Sequence, residues 1–194
     1  MLGDRLAERA ALLAVFQRQL ERALGDADAA SGGEDGGLNR GFAQMMDALE
    51  VGRANVAARG VGIAQRALEL ALKYSQERRT FGKPICEHQA IQFKLADMAT
   101  QVEAARLLTL RAARLKDAGE RSDMEAGMAK LFASEAGRFC VEESFRIHGG
   151  YGYSKEYEIE RLYREAPMLL IGEGTADIQR MIIGRRLLED YARR

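Results

Sequence analysis

The stretch from Ile171 to Arg180, IGEGTADIQR, puts one carboxylate, Glu173, between two glycines and directly ahead of an amphipathic segment. Glycine has no Cβ, so backbone at Gly172 and Gly174 can come close to a flat ligand. Thr175 offers a side-chain oxygen suited to capping the helix that follows. A carboxylate in a tight, dry loop is what abstraction of a proton next to a carbonyl requires, and burial would make it a stronger base. The same triplet also fits a solvated surface turn. Glu50 and Arg53 stand three apart and share a helix face, which an exposed ion pair explains nearly as well. His88, His148, Cys86 and Cys140 form no catalytic or metal-like arrangement, and no metal site is expected.

Helices must position these groups. Residues 4–24 carry Leu6, Ala10, Leu13, Phe16, Leu20 and Leu24 at helical spacing, and the acidic, Gly-rich stretch 25–38 reads as a flexible connection. A long helix is expected from about Phe42 to Arg78, with an apolar face of Met45, Leu49, Val56, Val61, Leu68 and Leu72. Gly52, Gly60 and Gly62 lie inside it at a cost of about 1 kcal/mol each relative to Ala, so close helix packing is the expected compensation. Arg78 and Arg79 at its end suit the helix dipole.

The loop 80–87 precedes a helix from about His88 to Leu115, with Ile91, Leu95, Met98, Val102, Ala105, Leu108 and Ala112 on one stripe and Gly119 as its cap. Ser122 to Glu125 reads as a capping box opening a helix that ends near Ile147. The Gly149-Gly150-Tyr151-Gly152 loop fits a helix C-terminal turn. A short helix is expected at about 156–164 and a last one at about 176–191, with Pro84 and Pro167 at helix breaks. No convincing period-two pattern appears. The fold class is therefore all-α: an up-down four-helix bundle (33–194) preceded by an N-terminal helix and linker (1–32).

The chain has 194 residues, with Lys+Arg and Asp+Glu balanced at 29 each. That balance argues against nucleic acid or an anionic membrane as partner. No apolar run is long enough to span a membrane, and the charged N-terminus does not read as a secretory signal. Two isolated cysteines point to reduced thiols and a cytoplasmic setting.

Four segments resemble the acyl-CoA dehydrogenases in order: Leu49–Leu68, Glu77–Met98, Arg146–Ala166 and the Glu173 loop. The resemblance implies the C-terminal helical domain of that family, α,β-dehydrogenation of an acyl-CoA thioester, and FAD as cofactor. It makes Glu173 the base that removes the α-proton, while the β-hydrogen leaves as hydride to the flavin. It places Arg78, whose planar fork suits bidentate phosphate binding, at the FAD pyrophosphate. Thr80, Phe81, Gln89, Arg146, Gly149, Gly150 and Thr175 would line the cofactor, partly that of a neighbouring subunit. Glu50, Arg53 and Gly174 would lie near the acyl-CoA.

This sequence departs from the family at two places. Relatives often have Tyr at the position of Gly172 and usually Gln at that of Arg146. A subset carries its base on the long helix instead, where this chain has Gly52. The resemblance further implies a homodimer or homotetramer, with an electron-transfer flavoprotein as the usual electron acceptor. Full-length relatives place a helical domain and a β-domain before this bundle, and neither is recognisable here. The expectations are a truncated chain, a chain working with a second polypeptide that supplies those domains, or a non-catalytic oligomerising module partnering a complete acyl-CoA dehydrogenase.

Overall fold

The computed structural model describes residues 41–193, with side chains from residue 49 onward. The expected helix 4–24, the connection 25–38 and the Met45 side chain lie outside the described residues. Among the described residues five α-helices build the fold: α1 (Gly41–Glu77), α2 (Gln89–Asp117), α3 (Asp123–His148), α4 (Glu158–Ile171) and α5 (Ala176–Ala192). α3 is the central element and packs on all four others.

Small residues let α3 approach α1 closely. Ala57, Ala129, Ala133 and Ala136 are buried in one cluster with Val61, Ala105 and Ala112. A Cβ built on Gly60 would lie only 2.7 Å from the Ala133 carbonyl oxygen, so this glycine marks the contact itself. A second cluster joins Ile63, Leu68 and Ala71 of α1 to Met98, Val102, Cys140, Val141, Ile159 and Leu162. Every member of the α2 stripe is buried or half-buried, as its spacing requires. On α1, Leu72 departs from the expected face and is exposed, because alanines 64, 67 and 71 carry the contact there.

Three local expectations are corrected. First, a two-residue ribbon pairs β1 (Arg79–Thr80) with β2 (Lys83–Pro84), too short to show a period of two. Its turn residues Phe81 and Gly82 both have positive φ (51° and 83°), as a two-residue type I′ hairpin requires.

Second, α4 runs through Pro167 to Ile171 instead of ending near residue 164. Ile159, Leu162, Ala166 and Leu169 recur at helical spacing and are all buried, each large side chain contributing roughly 1.5–3 kcal/mol. That outweighs one missing backbone bond, and Pro167 and Tyr163 are both exposed, so water can reach the freed carbonyl.

Third, Ser122 does not cap α3 with its side chain; its hydroxyl donates to Glu50 on α1. Pro84 does lie at the break between α1 and α2, where it ends β2 ahead of a 3-10 turn at Ile85–Glu87. Gly119 does end α2 in a left-handed turn (φ 73°), with Glu120 N–H bonded to the Leu115 carbonyl and Gly119 N–H to that of Lys116.

Candidate active site

The loop 172–175 joins α4 to α5, and the helices around it hold its backbone. Ser134 Oγ on α3 donates to the Leu169 carbonyl at 2.8 Å. Lys130 Nζ, also on α3, donates to the Gly174 carbonyl at 2.7 Å and to that of Leu170 at 3.4 Å. From α5, Gln179 Nε2 donates to the carbonyls of Glu173 (3.1 Å) and Gly174 (3.2 Å). Thr175 caps α5 as its sequence position suggests, accepting from Ile178 N–H at 3.4 Å. Gly174 sits at φ 92° and would bring a Cβ within 2.8 Å of Gln179 Nε2, so conformation and space both demand glycine.

Glu173 itself adopts a left-handed backbone, φ 54°, which is unfavourable for a residue with a Cβ. Its side chain lies against α1 where that helix has no side chain. A Cβ on Gly52 would sit 2.7 Å from Glu173 Oε2 and 2.8 Å from Cδ. Gly52 is therefore the seat of the carboxylate, a contact that spacing alone did not show. The loop is tight but not dry: Glu173 is exposed in this chain, and the water exclusion expected from the sequence is not supplied by these five helices.

Beside Gly52 on the same helix, Arg53 is only 5% exposed, and its Nε has no hydrogen-bond partner among the described residues. Glu50 is pinned by Ser122 and by Lys116 Nζ at 3.5 Å. The exposed Glu50–Arg53 pair that the spacing allowed is thus not formed. Both residues line a cleft of about 600 Å³ together with Lys116, Arg121, Arg185 and Arg186.

A second cleft, of about 550 Å³, lies where the C-terminal ends of α1 and α3 meet the ribbon. It gathers Arg78, Thr80, Gly149 and Gly150 from the expected cofactor set. No carboxylate among the described residues pairs with Arg78. Sequence reasoning missed the aromatic wall. The His148 ring stacks on Tyr74 at 4.3 Å, and Tyr151 meets Tyr74 edge-on. His148 Nδ1 lies 2.7 Å from the Ser144 carbonyl, so it carries the proton of the neutral ring, and burial pushes the His148 pKa down.

The remaining expected residues stand apart from both clefts. Phe81 is 95% exposed at the hairpin tip, edge-on to His88, whose Nε2 lies 3.3 Å from Thr80 Oγ1. Gln89 is exposed at the start of α2, and Arg146 pairs with Glu142 at 2.8 Å. Gly52 and Tyr74 are 22 residues apart in one helix, so the carboxylate seat and the aromatic cleft lie about 33 Å apart.

A family model described as "Acyl-CoA dehydrogenase, C-terminal domain" matches residues 39–188. The chain belongs to the acyl-CoA dehydrogenase family. It is 51% identical over 154 residues to the 3-(aryl)acrylate reductase of Clostridium sporogenes, covering 79% of this chain and 41% of that protein. It is 48% identical over 154 residues to the caffeyl-CoA reductase-Etf complex subunit CarC of Acetobacterium woodii, covering 79% and 41%.

Among solved structures, butyryl-CoA dehydrogenase from Megasphaera elsdenii superposes with a TM-score of 0.78 at 45% identity, over 79% of this chain and 40% of that one. The chain thus spans about 40% of the length of these relatives. Acyl-CoA dehydrogenases are FAD enzymes, and the part present here is their C-terminal helical domain. No helix among the described residues is long and apolar enough to cross a membrane. The same residues hold no group of three or more His, Cys, Asp or Glu able to bind a metal.

Proposed function

We propose that this chain supplies the base and part of the cofactor site for flavin-dependent α,β-dehydrogenation of an acyl-CoA thioester. The observation that carries this reading is the Glu173 carboxylate, held in a clamped loop and seated on the bare backbone of Gly52. Glu173 takes the α-proton of the thioester on a carboxylate oxygen. Bound FAD would supply the two-electron acceptor for the β-hydrogen, which would leave with its electron pair to give the 2-enoyl-CoA.

Arg78, with no carboxylate partner among the described residues and beside exposed Gly149 and Gly150, suits the FAD pyrophosphate. Thr80 and Phe81 on the same hairpin, Gln89 and Arg146 would extend that contact, and Thr175 would meet the flavin end. Arg53, buried beside the seat, and Glu50 would face the acyl-CoA with Gly174.

The 33 Å between the seat and the aromatic cleft is more than one cofactor bridges, which favours a homodimer or homotetramer sharing sites between copies. Because Glu173 is exposed, a domain or polypeptide beyond the described residues would close the site. An electron-transfer flavoprotein would take the electrons, and a cytoplasmic setting fits the two unpaired cysteines. Two relatives are named reductases, so the same residues would also serve the reverse reaction, with Glu173 returning the proton to the α-carbon.

The rival reading is a non-catalytic oligomerising module. It is favoured by the exposed apolar side chains Met181, Leu188 and Tyr191 along α5. Absorption spectra after incubation with FAD and removal of free flavin separate the two when the family's other domains are supplied, because a module retains no flavin even then. With the family's other domains supplied as a second polypeptide, Glu173→Gln should abolish acyl-CoA turnover and leave flavin content unchanged. Turnover that survives this change would remove Glu173 from the reaction.

A further inference from the structure

Lys130 lies in the middle of α3 with 0% of its surface exposed, among Ala126, Ala129, Ala133 and Ser134. An ammonium in such a place is costly unless its donors are taken up. Among the described residues no carboxylate forms an ion pair with it. Its hydrogen bonds go instead to two main-chain carbonyls, Gly174 at 2.7 Å and Leu170 at 3.4 Å. The Leu170 carbonyl belongs to the last turn of α4, where unpaired carbonyls concentrate the negative end of the helix dipole. The buried charge is thus neutralised by the backbone of one loop.

That loop is the one carrying Glu173. Gln179, also fully buried, reaches the same stretch from α5 and bonds the carbonyls of Glu173 and Gly174. Lys130 and Gln179 both hold the Gly174 carbonyl, and together they turn two successive carbonyls toward the protein. With those carbonyls fixed inward, Glu173 is held at φ 54° and its side chain is directed to Gly52. A lysine is long enough to span from α3 to this loop, whereas Ser134, one turn further on, reaches only Leu169 at the end of α4.

We propose that Lys130 is a positioning residue for Glu173: its ammonium, with the amide of Gln179, locks the loop in the left-handed conformation that seats the carboxylate. The inference rests on Glu173 being the base, and it concerns the main chain rather than the chemistry. Burial pushes the Lys130 pKa down and the charges of Glu135 and Glu173 only partly oppose it, so the ammonium depends on the Gly174 and Leu170 carbonyls that take up its donors.

The test is hydrogen–deuterium exchange of the folded chain, wild type against Lys130→Met. The amides to follow are those of Gly172, Ile178 and Gln179, which are hydrogen-bonded in and beside the loop. Lys130→Met should accelerate them at least tenfold and leave amides in the α1 core, such as those of Ala64 and Ala67, unchanged. In an assembly that turns over acyl-CoA, kcat should fall by about 10²-fold, the effect expected of a ~1 Å misplacement, with KM and flavin content unchanged.

Unchanged loop exchange overturns the proposal, as does equal acceleration of loop and core, which would mark Lys130 as merely structural. If Lys130→Met does not fold, Lys130→Gln takes its place under the same criteria. Turnover that survives Glu173→Gln would remove the functional reading while leaving the loop lock intact, so the two failures are distinct.

Discussion

Three glycines within eleven residues of α1 give three different outcomes for one substitution. In a helix interior Gly→Ala gains about 1 kcal/mol from propensity alone. Gly62 is exposed and a Cβ there meets nothing within 4 Å among the described residues, so Gly62→Ala should show the whole gain, raising Tm by about 2–4 °C in a chain of this size. Gly60→Ala places its methyl 2.7 Å from the Ala133 carbonyl oxygen, which belongs to the backbone and cannot swing away. Overpacking costs about 1–3 kcal/mol, so Gly60→Ala should fall below Gly62→Ala by that amount.

At Gly52 the obstacle is the far end of the Glu173 side chain, which can move. The carboxylate must retreat by about 0.7 Å, from 2.7 Å to the 3.4 Å where ordinary contact begins. Gly52→Ala should therefore be about as stable as Gly62→Ala and yet lose up to about 10²-fold in turnover. Urea titration of the three variants, with acyl-CoA turnover of Gly52→Ala in a complete assembly, tests both parts. Equal stability of Gly60→Ala and Gly62→Ala would refute the α1–α3 contact. Unimpaired turnover in Gly52→Ala would refute the carboxylate seat.

Three other expectations follow from burial. His148 is neutral when buried, with its pKa lowered by desolvation, so the unfolded chain binds the extra proton. Stability should be fully present above pH 6.5 and fall as pH drops below it, and urea midpoints of His148→Phe should lack this component; a gap between the two proteins that does not narrow in acid would contradict it. Cys140 is fully buried and its pKa is pushed up to about 12, so at pH 8 a thiol reagent should label Cys86 rapidly and Cys140 only on unfolding; two fast thiols would show that α2 and α3 do not close over it. Ile159→Ala should cost about 2–5 kcal/mol and Leu72→Ala less than about 0.5, since the first is fully buried and the second 41% exposed; similar melting temperatures would place α4 outside the core.

What the sequence made legible was local. The α2 stripe repeats every three to four residues, and Gly119 and Thr175 end and start helices through bonds within a few residues of themselves. Where a side chain had a choice of partners, tertiary contacts decided. Ser122 has the spacing of a capping box, but Glu50 of α1 takes its hydroxyl. Pro167 reads as a break until the burial of Ile159, Leu162, Ala166 and Leu169 on one face is known. Lys130 was the least legible, because a lysine reads as solvated unless its neighbours are seen to be small. The run of Ala126, Ala129, Ala133 and Gly137 around it was the available signal, and all four are buried. Spacing alone could not show the carboxylate seat, since Gly52 and Glu173 are 121 positions apart in sequence and meet through the loop's left-handed turn; the pointer to Gly52 came from the resemblance to relatives that carry their base at its position.

The same two helices connect the candidate sites. α1 runs from Gly52 at the carboxylate seat to Tyr74 in the aromatic cleft, and α3 runs from Lys130 behind the loop to His148 in the same cleft. They point the same way and touch through Gly60 and Ala133 at main-chain distance, with Gly137, one turn beyond Ala133, also against Gly60. Interiors packed this closely transmit displacement instead of absorbing it. A methyl inserted at Gly60 would therefore shift α3 against α1 and move Lys130 relative to Gly52. The loop is held from α3 by Lys130, while its seat is on α1. Gly60→Ala should thus disturb Glu173 from a point eight residues along α1 from its seat, whereas Gly62→Ala, with nothing within 4 Å among the described residues, should leave it in place.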